Sequence, residues 1–161
     1  MHRADDWQAV LASALRPAAF ARRSCTTLDR SDQFVMDDAT YRKVRSAFEA
    51  SWSAETSVCF SPNAFPSYGQ CAQTAILVQE QFGGEILRTT GWHGTGRHFY
   101  NLIDGKRIDF TADQFEMPHY SYALKYEDCP SSAAEAMAET NPGQVEALRR
   151  AFMKVFYDGA V

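Results

Sequence analysis

The sequence predicts an α+β fold in which one helix packs on a small antiparallel sheet. Apolar residues recur at helical spacing in several segments, and two short strand patterns flank the turn pair Asp104-Gly105. The 161 residues are 45% hydrophobic and 13% aromatic, which is enough apolar material for one packed domain. We therefore expect a single domain with N-terminal helices and a loop (1–51), a core (52–115), and a loop with a C-terminal helix (116–161).

The charge and the cysteines exclude several classes of protein. Twenty acidic against 16 basic residues give a mildly negative chain, so nucleic acid is not expected as a partner. No apolar run approaches the roughly 18 residues that cross a membrane, and the N-terminus lacks a signal core. The four cysteines lie far apart without a CxxC element, as is typical of reduced thiols. We expect a cytoplasmic protein without a membrane partner.

Helical patterns dominate both ends of the chain. Apolar spacing over residues 6–15 predicts a packing helix, and residues 17–34 are polar and irregular, as in an ordered covering loop or a mobile lid. A second helix is predicted over residues 38–50, with Asp37 or Asp38 as its cap. Asn141-Pro142 begins a final helix with an apolar face. The structure of residues 116–130 is left open.

A further helix places a cysteine at its start. Residues 61–69 are rich in helix breakers, and residues 70–82 then form a helical pattern that Gly83-Gly84 ends. Cys71 therefore lies in the first turn. The unpaired backbone N–H groups and the positive dipole end stabilise a thiolate at that position.

The next strands bring a histidine and an aspartate together. Residues 85–90, 97–102 and 106–111 are predicted strands, and a glycine-rich turn over residues 91–96 joins the first two. A two-residue turn at Asp104-Gly105 would place His98 opposite Thr111. His98 and Asp109 would then be diagonal neighbours on one face, about 7–8 Å apart at the backbone, so that their side chains can form a hydrogen bond.

Cys71, His98 and Asp109 supply the three roles of covalent acyl transfer. The cysteine is the predicted nucleophile, the histidine its base, and the aspartate the group that orients the base. The alternative for Cys71 is a small buried thiol that only packs.

Other residues near these three are candidates for binding. The backbone N–H of Cys71 and the side chain of Gln70 are candidate oxyanion donors, although Gln70 could instead cap the helix. Asn63 and Tyr68 could line the cleft, and Trp92 could form an aromatic wall. His93 is a rival base, but a histidine in a turn is more often only exposed to solvent.

A zinc site is the main alternative chemistry for these residue types. His93 and His98 are separated by four residues, and Cys59 and Cys71 lie upstream. Eleven residues separate the two cysteines, far more than in compact zinc knuckles. We therefore expect no metal and no cofactor.

Four segments resemble the YunG-like family of small bacterial proteins, over about residues 52–115. The segments are PSYGQCAQTA (66–75), FGGEIL (82–87), HFYN (98–101) and IDFTADQF (108–115). More distantly, the order of helix with Cys, strand with His and strand with Asp is similar to the papain and transglutaminase-like superfamily. That resemblance implies Cys71, His98 and Asp109 as a catalytic triad.

The expected function is a cysteine amide hydrolase or acyltransferase that acts on a small molecule or peptide. Two alternatives stay open at this point. One is a binding module that uses the same cleft without chemistry, and the other is a cell-wall amidase.

Overall fold

The computed structural model describes residues 36–91, 96–116 and 123–158, all within one compact unit. Its helices are α1 (Asp38–Glu49), α2 (Cys71–Phe82), α3 (Ala133–Met137) and α4 (Pro142–Met153). A short 3₁₀ helix covers Ala112–Phe115, and a π-helical turn, Lys154–Asp158, extends α4. The predicted helix over residues 6–15 and the loop over residues 17–34 lie outside the described residues.

A four-stranded antiparallel sheet supports these helices. Its strands are β1 (Glu85–Thr90), β2 (Arg97–Ile103), β3 (Lys106–Ile108) and β4 (Cys129–Ser131), in the spatial order β3-β2-β1-β4. Ile103 pairs with Lys106 across the turn, as the Asp104-Gly105 signal predicts. The α+β class with a small antiparallel sheet is therefore confirmed.

Helix α2 lies at the centre of the described structure and is buried on almost every side. Leu77 and Val78 join a core with α1 and α4, around Phe48 and Phe152. Ala72, Ala75 and Ile76 join a second core with the sheet and α3. A helix that is apolar around most of its circumference belongs in the interior. Burial from both sides fixes the position of its first residue, Cys71.

The helix ends follow the local sequence signals. Asp37 caps α1 by accepting the N–H of Thr40 at 2.7 Å, and Asn141 caps α4 by accepting the N–H of Gln144 at 3.0 Å. Gly83 ends α2 with φ of +75°, a conformation that favours glycine. The predicted bounds of these helices are confirmed to within a residue.

The predicted third strand is wrong beyond Ile108. Asp109 Oδ1 accepts the backbone N–H of Thr111 at 2.9 Å and the hydroxyl of the same residue at 3.1 Å. This local bond turns the chain out of the sheet, as short polar side chains do when they compete with a strand ladder. Arg45 then donates to the Phe110 carbonyl, which fixes the turn from outside. Strand β4 begins within residues 116–130, for which the sequence analysis predicted no structure.

None of the described helices combines the length and the apolar character that a membrane span requires.

Candidate functional site

Cys71 is the first residue of α2 and its side chain is half-buried. The thiol points toward β2, where Sγ lies 4.0 Å from the carbonyl oxygen of Arg97. As the first helical residue, Cys71 has a backbone N–H without an intrahelical acceptor. The thiol thus lies beside the strand that carries His98, at the positive end of a helix dipole.

A tight loop fixes the point at which α2 begins. Gly69 has φ of +70°, and its carbonyl accepts the N–H of Val58 at 3.1 Å. A β-carbon at this position would lie 2.6 Å from Ser57 Oγ and 2.7 Å from Cys59 Sγ. Glycine is therefore required here by its backbone conformation and by close approach. The side-chain amide of Gln73 donates to the Gly69 carbonyl at 2.8 Å, which ties the loop to the helix.

The hydrogen bond expected between His98 and Asp109 is present. Nε2 of His98 lies 2.7 Å from Oδ2 of Asp109, and the two side chains are 1% and 5% exposed. The same carboxylate accepts the Thr111 bonds through its other oxygen. Both oxygens are thus engaged, and the imidazole is held in one orientation.

The electrostatics of this buried pair favour the charged form of both side chains. Burial alone would lower the pKa of His98, but the charge and hydrogen bond of Asp109, together with interactions with Cys71, raise it to about 10. Burial opposes ionisation of Asp109 as well, yet the charge of His98 and the hydrogen bonds from the ring, Thr111 and Tyr126 lower the pKa of that carboxyl. An imidazolium beside Cys71 would stabilise a thiolate.

Gln114 contacts the other ring nitrogen of His98. Its side-chain nitrogen donates to the Thr111 carbonyl at 2.9 Å and lies 3.2 Å from Nδ1. That contact suits a neutral ring whose Nδ1 accepts, whereas Asp109 favours the imidazolium. A charge-assisted hydrogen bond is roughly twice as strong as a neutral one, so we expect Asp109 to determine the protonation state. Gln114 then mainly limits rotation of the ring.

Tyr126 provides a second donor to the aspartate. Its hydroxyl donates to Asp109 Oδ2 at 2.9 Å, and the side chain of Arg107 stacks on its ring at 4.4 Å. The segment that carries Tyr126 is anchored on β1, since Thr89 donates to the Lys125 carbonyl at 2.6 Å and accepts the N–H of Glu127 at 3.1 Å. Tyr126 therefore covers the carboxylate and helps to keep it ionised.

The predicted accessory residues have different fates. Gln70 is buried, and its amide donates to the Ser53 carbonyl at 3.2 Å while its oxygen accepts from Gln73, so its side chain holds the loop. It makes no side-chain cap to α2. Tyr68 lines a groove beside the loop, and Asn63 is exposed on a turn outside the lining of that groove. Trp92 and His93 lie outside the described residues.

Cys59 and Cys129 are the other cysteines among the described residues. Cys59 is exposed and its sulfur lies against Gly69; partial burial and the nearby charge of Cys71 raise the pKa of its thiol. Cys129 is half-buried in β4.

Within residues 36–91, 96–116 and 123–158, no three His, Cys, Asp or Glu side chains cluster as metal ligands would. His93, one of the four residues considered for zinc, is not among them.

Sequence reasoning missed Gln114 and Tyr126. Gln114 follows Asp109 closely, but its approach to His98 depends on the turn that replaces the predicted strand. Tyr126 reaches Asp109 only because a distant segment is anchored on β1. The aromatic character of residues 120–126 was visible in the sequence, but no local pattern indicated which tyrosine would contact the carboxylate.

Comparison with known proteins identifies relatives over most of the described region. The family model described as "YunG protein" matches residues 40–157, well beyond the residues 52–115 that carry the recognised motifs. A relative described as "Uncharacterized protein YunG" from Bacillus subtilis (strain 168) is 39% identical over 114 residues. That alignment covers 69% of this chain and 90% of the relative. No solved structure matches.

Proposed function

Because the chain belongs to the YunG family, and the matched region contains all three candidate residues, we propose that it is a cysteine amide hydrolase or acyltransferase. Cys71 is the nucleophile, His98 the general base and acid, and Asp109 the group that orients His98. The observation that carries this proposal is the buried His98–Asp109 hydrogen bond of 2.7 Å beside a thiol at a helix start.

Acylation begins from the state in which His98 carries the proton and Cys71 is the thiolate, because Asp109 favours the imidazolium. The thiolate attacks the carbonyl carbon of an amide or thioester, a C–S bond forms, and the carbonyl oxygen takes the negative charge. Collapse of this intermediate breaks the bond to the leaving group. An amine leaves with the proton held by His98, and the acyl group remains on Cys71.

The oxyanion needs donors at the start of α2. The backbone N–H of Cys71 is the donor we propose, because the first residue of a helix has no intrahelical acceptor. The Gln70 side chain already bonds Ser53 and Gln73. We therefore assign Gln70 to support of the loop, so that a second donor would come from elsewhere in the cleft.

Deacylation regenerates the thiolate. Water or an amine gives a proton to His98 as it attacks the acyl carbon, and the C–S bond breaks. We favour water and hence amide hydrolysis of a small molecule or peptide, whereas an enclosed apolar cleft would favour an amine. The proposed setting is the bacterial cytoplasm, without a cofactor.

The chain order of the three residues also supports a distant relation to the papain and transglutaminase-like superfamily. There, as here, a helix carries the cysteine, the histidine follows on the sheet that packs against it, and the acidic partner comes later in the chain. Here α2 packs on β2, which carries His98, and Asp109 follows β3 directly. We propose this core as the architecture of the family.

Alkylation by iodoacetamide at pH 7, followed by intact mass and peptide mapping, tests the proposal. Cys71 should react at least about tenfold faster than a model thiol, since thiolate is the reactive form. Cys129 in the same chain is the internal reference, and a His98→Gln variant should remove the advantage. A Cys71 no faster than Cys129 would contradict an activated nucleophile and favour a binding module that uses the cleft without chemistry.

A further inference from the structure

An uncharged groove of about 210 Å³ runs along the loop that precedes α2. Its walls are mainly aromatic and proline side chains, contributed by Trp52, Phe60, Pro62, Phe65, Pro66 and Tyr68. None of its lining residues carries a charge. Phe60 is 57% exposed and Phe65 37% exposed, so two aromatic rings of this wall face solvent. Clustered exposed aromatic surface is typical of a binding site.

The groove is attached to the first turn of α2 at two points. Nε1 of Trp52 donates to Thr74 Oγ1 at 3.1 Å, and Thr74 is three residues beyond Cys71 in the same helix. Side chains at this spacing have β-carbons about 5–6 Å apart. The other attachment is the carbonyl of Ser53, which accepts the Gln70 amide at 3.2 Å. Tyr68, which lines the groove, also lies three residues before Cys71 in the chain, so the groove borders the loop from which Cys71 begins α2.

Size and charge indicate what the groove can hold. Pockets that enclose a whole ligand usually have about 300–1,000 Å³, so 210 Å³ fits one side chain rather than a complete molecule. A charged side chain would lose hydration here without gaining an ionic partner. An aromatic ring would bury apolar surface against Trp52 and Phe65 and could adopt the offset or edge-to-face contacts that aromatic pairs favour.

We propose that this groove binds one aromatic or large aliphatic side chain of the acyl donor, next to the carbonyl that Cys71 attacks. The substrate class is then a peptide or aminoacyl amide with an apolar residue at that position. This assignment rests on the proposed function and narrows it, because the chemistry of Cys71 alone does not select a side chain.

Three chloromethyl ketones, of N-acetylated phenylalanine, alanine and glutamate, test the groove. In each reaction the Cys71 sulfur displaces chloride and forms a C–S bond, which intact mass records over time. We expect the phenylalanine reagent to react at least about tenfold faster than the other two, in line with the discrimination an apolar pocket provides. Phe65→Ala should lower this preference about tenfold, and Phe65→Leu should preserve most of it.

Met153→Ala is the matched control, since Met153 is 36% exposed and lies at the end of α4. It should leave the preference unchanged. Equal rates for the three reagents, with fast iodoacetamide labelling, would overturn the groove assignment and leave the proposed function standing. Slow iodoacetamide labelling would instead overturn the proposed function.

Binding to Cys71→Ala separates the groove from the chemistry. N-acetylphenylalanine amide should shift the indole N–H resonance of Trp52 in this variant, and adding Phe65→Ala should abolish the shift. An unchanged Trp52 resonance at millimolar ligand would contradict the groove assignment, whatever the reactivity of Cys71.

Discussion

Oδ2 of Asp109 accepts two hydrogen bonds at once, from Nε2 of His98 at 2.7 Å and from the hydroxyl of Tyr126 at 2.9 Å. The two donors come from β2 and from the segment before β4, so the carboxylate joins parts of the chain that lie far apart in sequence. Removal of either donor should change both the stability of the fold and the ionisation of the site.

Asp109→Asn should reduce the reactivity of Cys71. Asparagine keeps the size of the side chain but removes the charge that opposes the burial of His98, so the pKa of the imidazole falls. Each pKa unit corresponds to a factor of ten in the protonation equilibrium, and we expect iodoacetamide labelling at pH 7 to slow roughly tenfold or more. Asp113→Asn is the control, because it makes the same chemical change at an aspartate whose charge pairs with Arg45 at 2.7 Å. Labelling of Cys71 should not slow in this variant. Equal labelling of wild type and Asp109→Asn would refute the orienting role.

The free energy of unfolding should fall as the pH rises from about 6.5 to about 10. The pKa of His98 is raised from 6.5 to about 10 in the folded protein, so across this window the folded state binds a proton that the unfolded state has lost. The stabilisation is fully present below pH 6.5 and is lost as the pH rises through the pKa of His98 in the folded protein. We expect a loss on the order of a few kcal/mol, measured by urea unfolding at several pH values.

The double variant His98→Gln/Asp109→Asn provides the control for this pH dependence. It lacks both members of the buried pair and should therefore show a flatter alkaline profile than wild type. If the free energy of unfolding fell with pH equally steeply in both proteins, groups other than His98 and Asp109 would be responsible for the pH dependence.

Tyr126→Phe should destabilise the protein by roughly 1–2 kcal/mol, the usual cost of leaving a buried acceptor without one of its donors. The pKa of Asp109 is lower in the folded protein than in the unfolded chain. Its ionised carboxylate therefore stabilises the fold above the ordinary carboxyl pKa range, and this stabilisation is lost as the pH falls through the pKa of the folded state. Without the tyrosine hydroxyl the folded pKa rises, and acid unfolding should begin at a higher pH. Tyr157→Phe, on an exposed ring, should leave the acid midpoint unchanged.

Gly69→Ala should be more harmful than Gly105→Ala, although the two glycines have φ of +70° and +71°. Backbone strain of this kind costs about 1–3 kcal/mol at either position. At Gly69 the new β-carbon would also meet Ser57 and Cys59, whereas nothing lies within 4 Å of the corresponding position at Gly105. We expect a lower melting temperature and slower Cys71 labelling for Gly69→Ala. Equal melting temperatures would show that the loop accommodates the methyl group.

Local chemistry made much of this fold predictable from the sequence. Asp37, Gly83 and Asn141 each mark a helix end within one residue of its predicted place. The Asp37 and Asn141 side chains accept backbone N–H groups as caps, and Gly83 has a positive φ. The turn at Asp104-Gly105 fixed the register of β2 with β3, and that register led to the contact between His98 and Asp109.

The parts that could not be predicted depend on contacts between distant segments. The strand pattern over residues 106–111 was interrupted because Asp109 accepts the backbone N–H of Thr111 and Arg45 donates to the Phe110 carbonyl. Strand β4 forms by pairing with β1, more than 35 residues earlier, and periodicity does not reveal such a partner. The position of Tyr126 on Asp109 follows from the same long-range anchoring.

Burial of α2 between two cores has a consequence for its exchange with solvent. To expose the amide hydrogens around Ile76–Val78, the two cores packed on opposite sides of α2 would have to separate from it at the same time. A small local opening would therefore not expose these hydrogens. They should exchange with deuterium only through unfolding of the whole described unit. Heat or denaturant should then remove the expected excess reactivity of Cys71 over a model thiol and the protection of the α2 amides in one cooperative step.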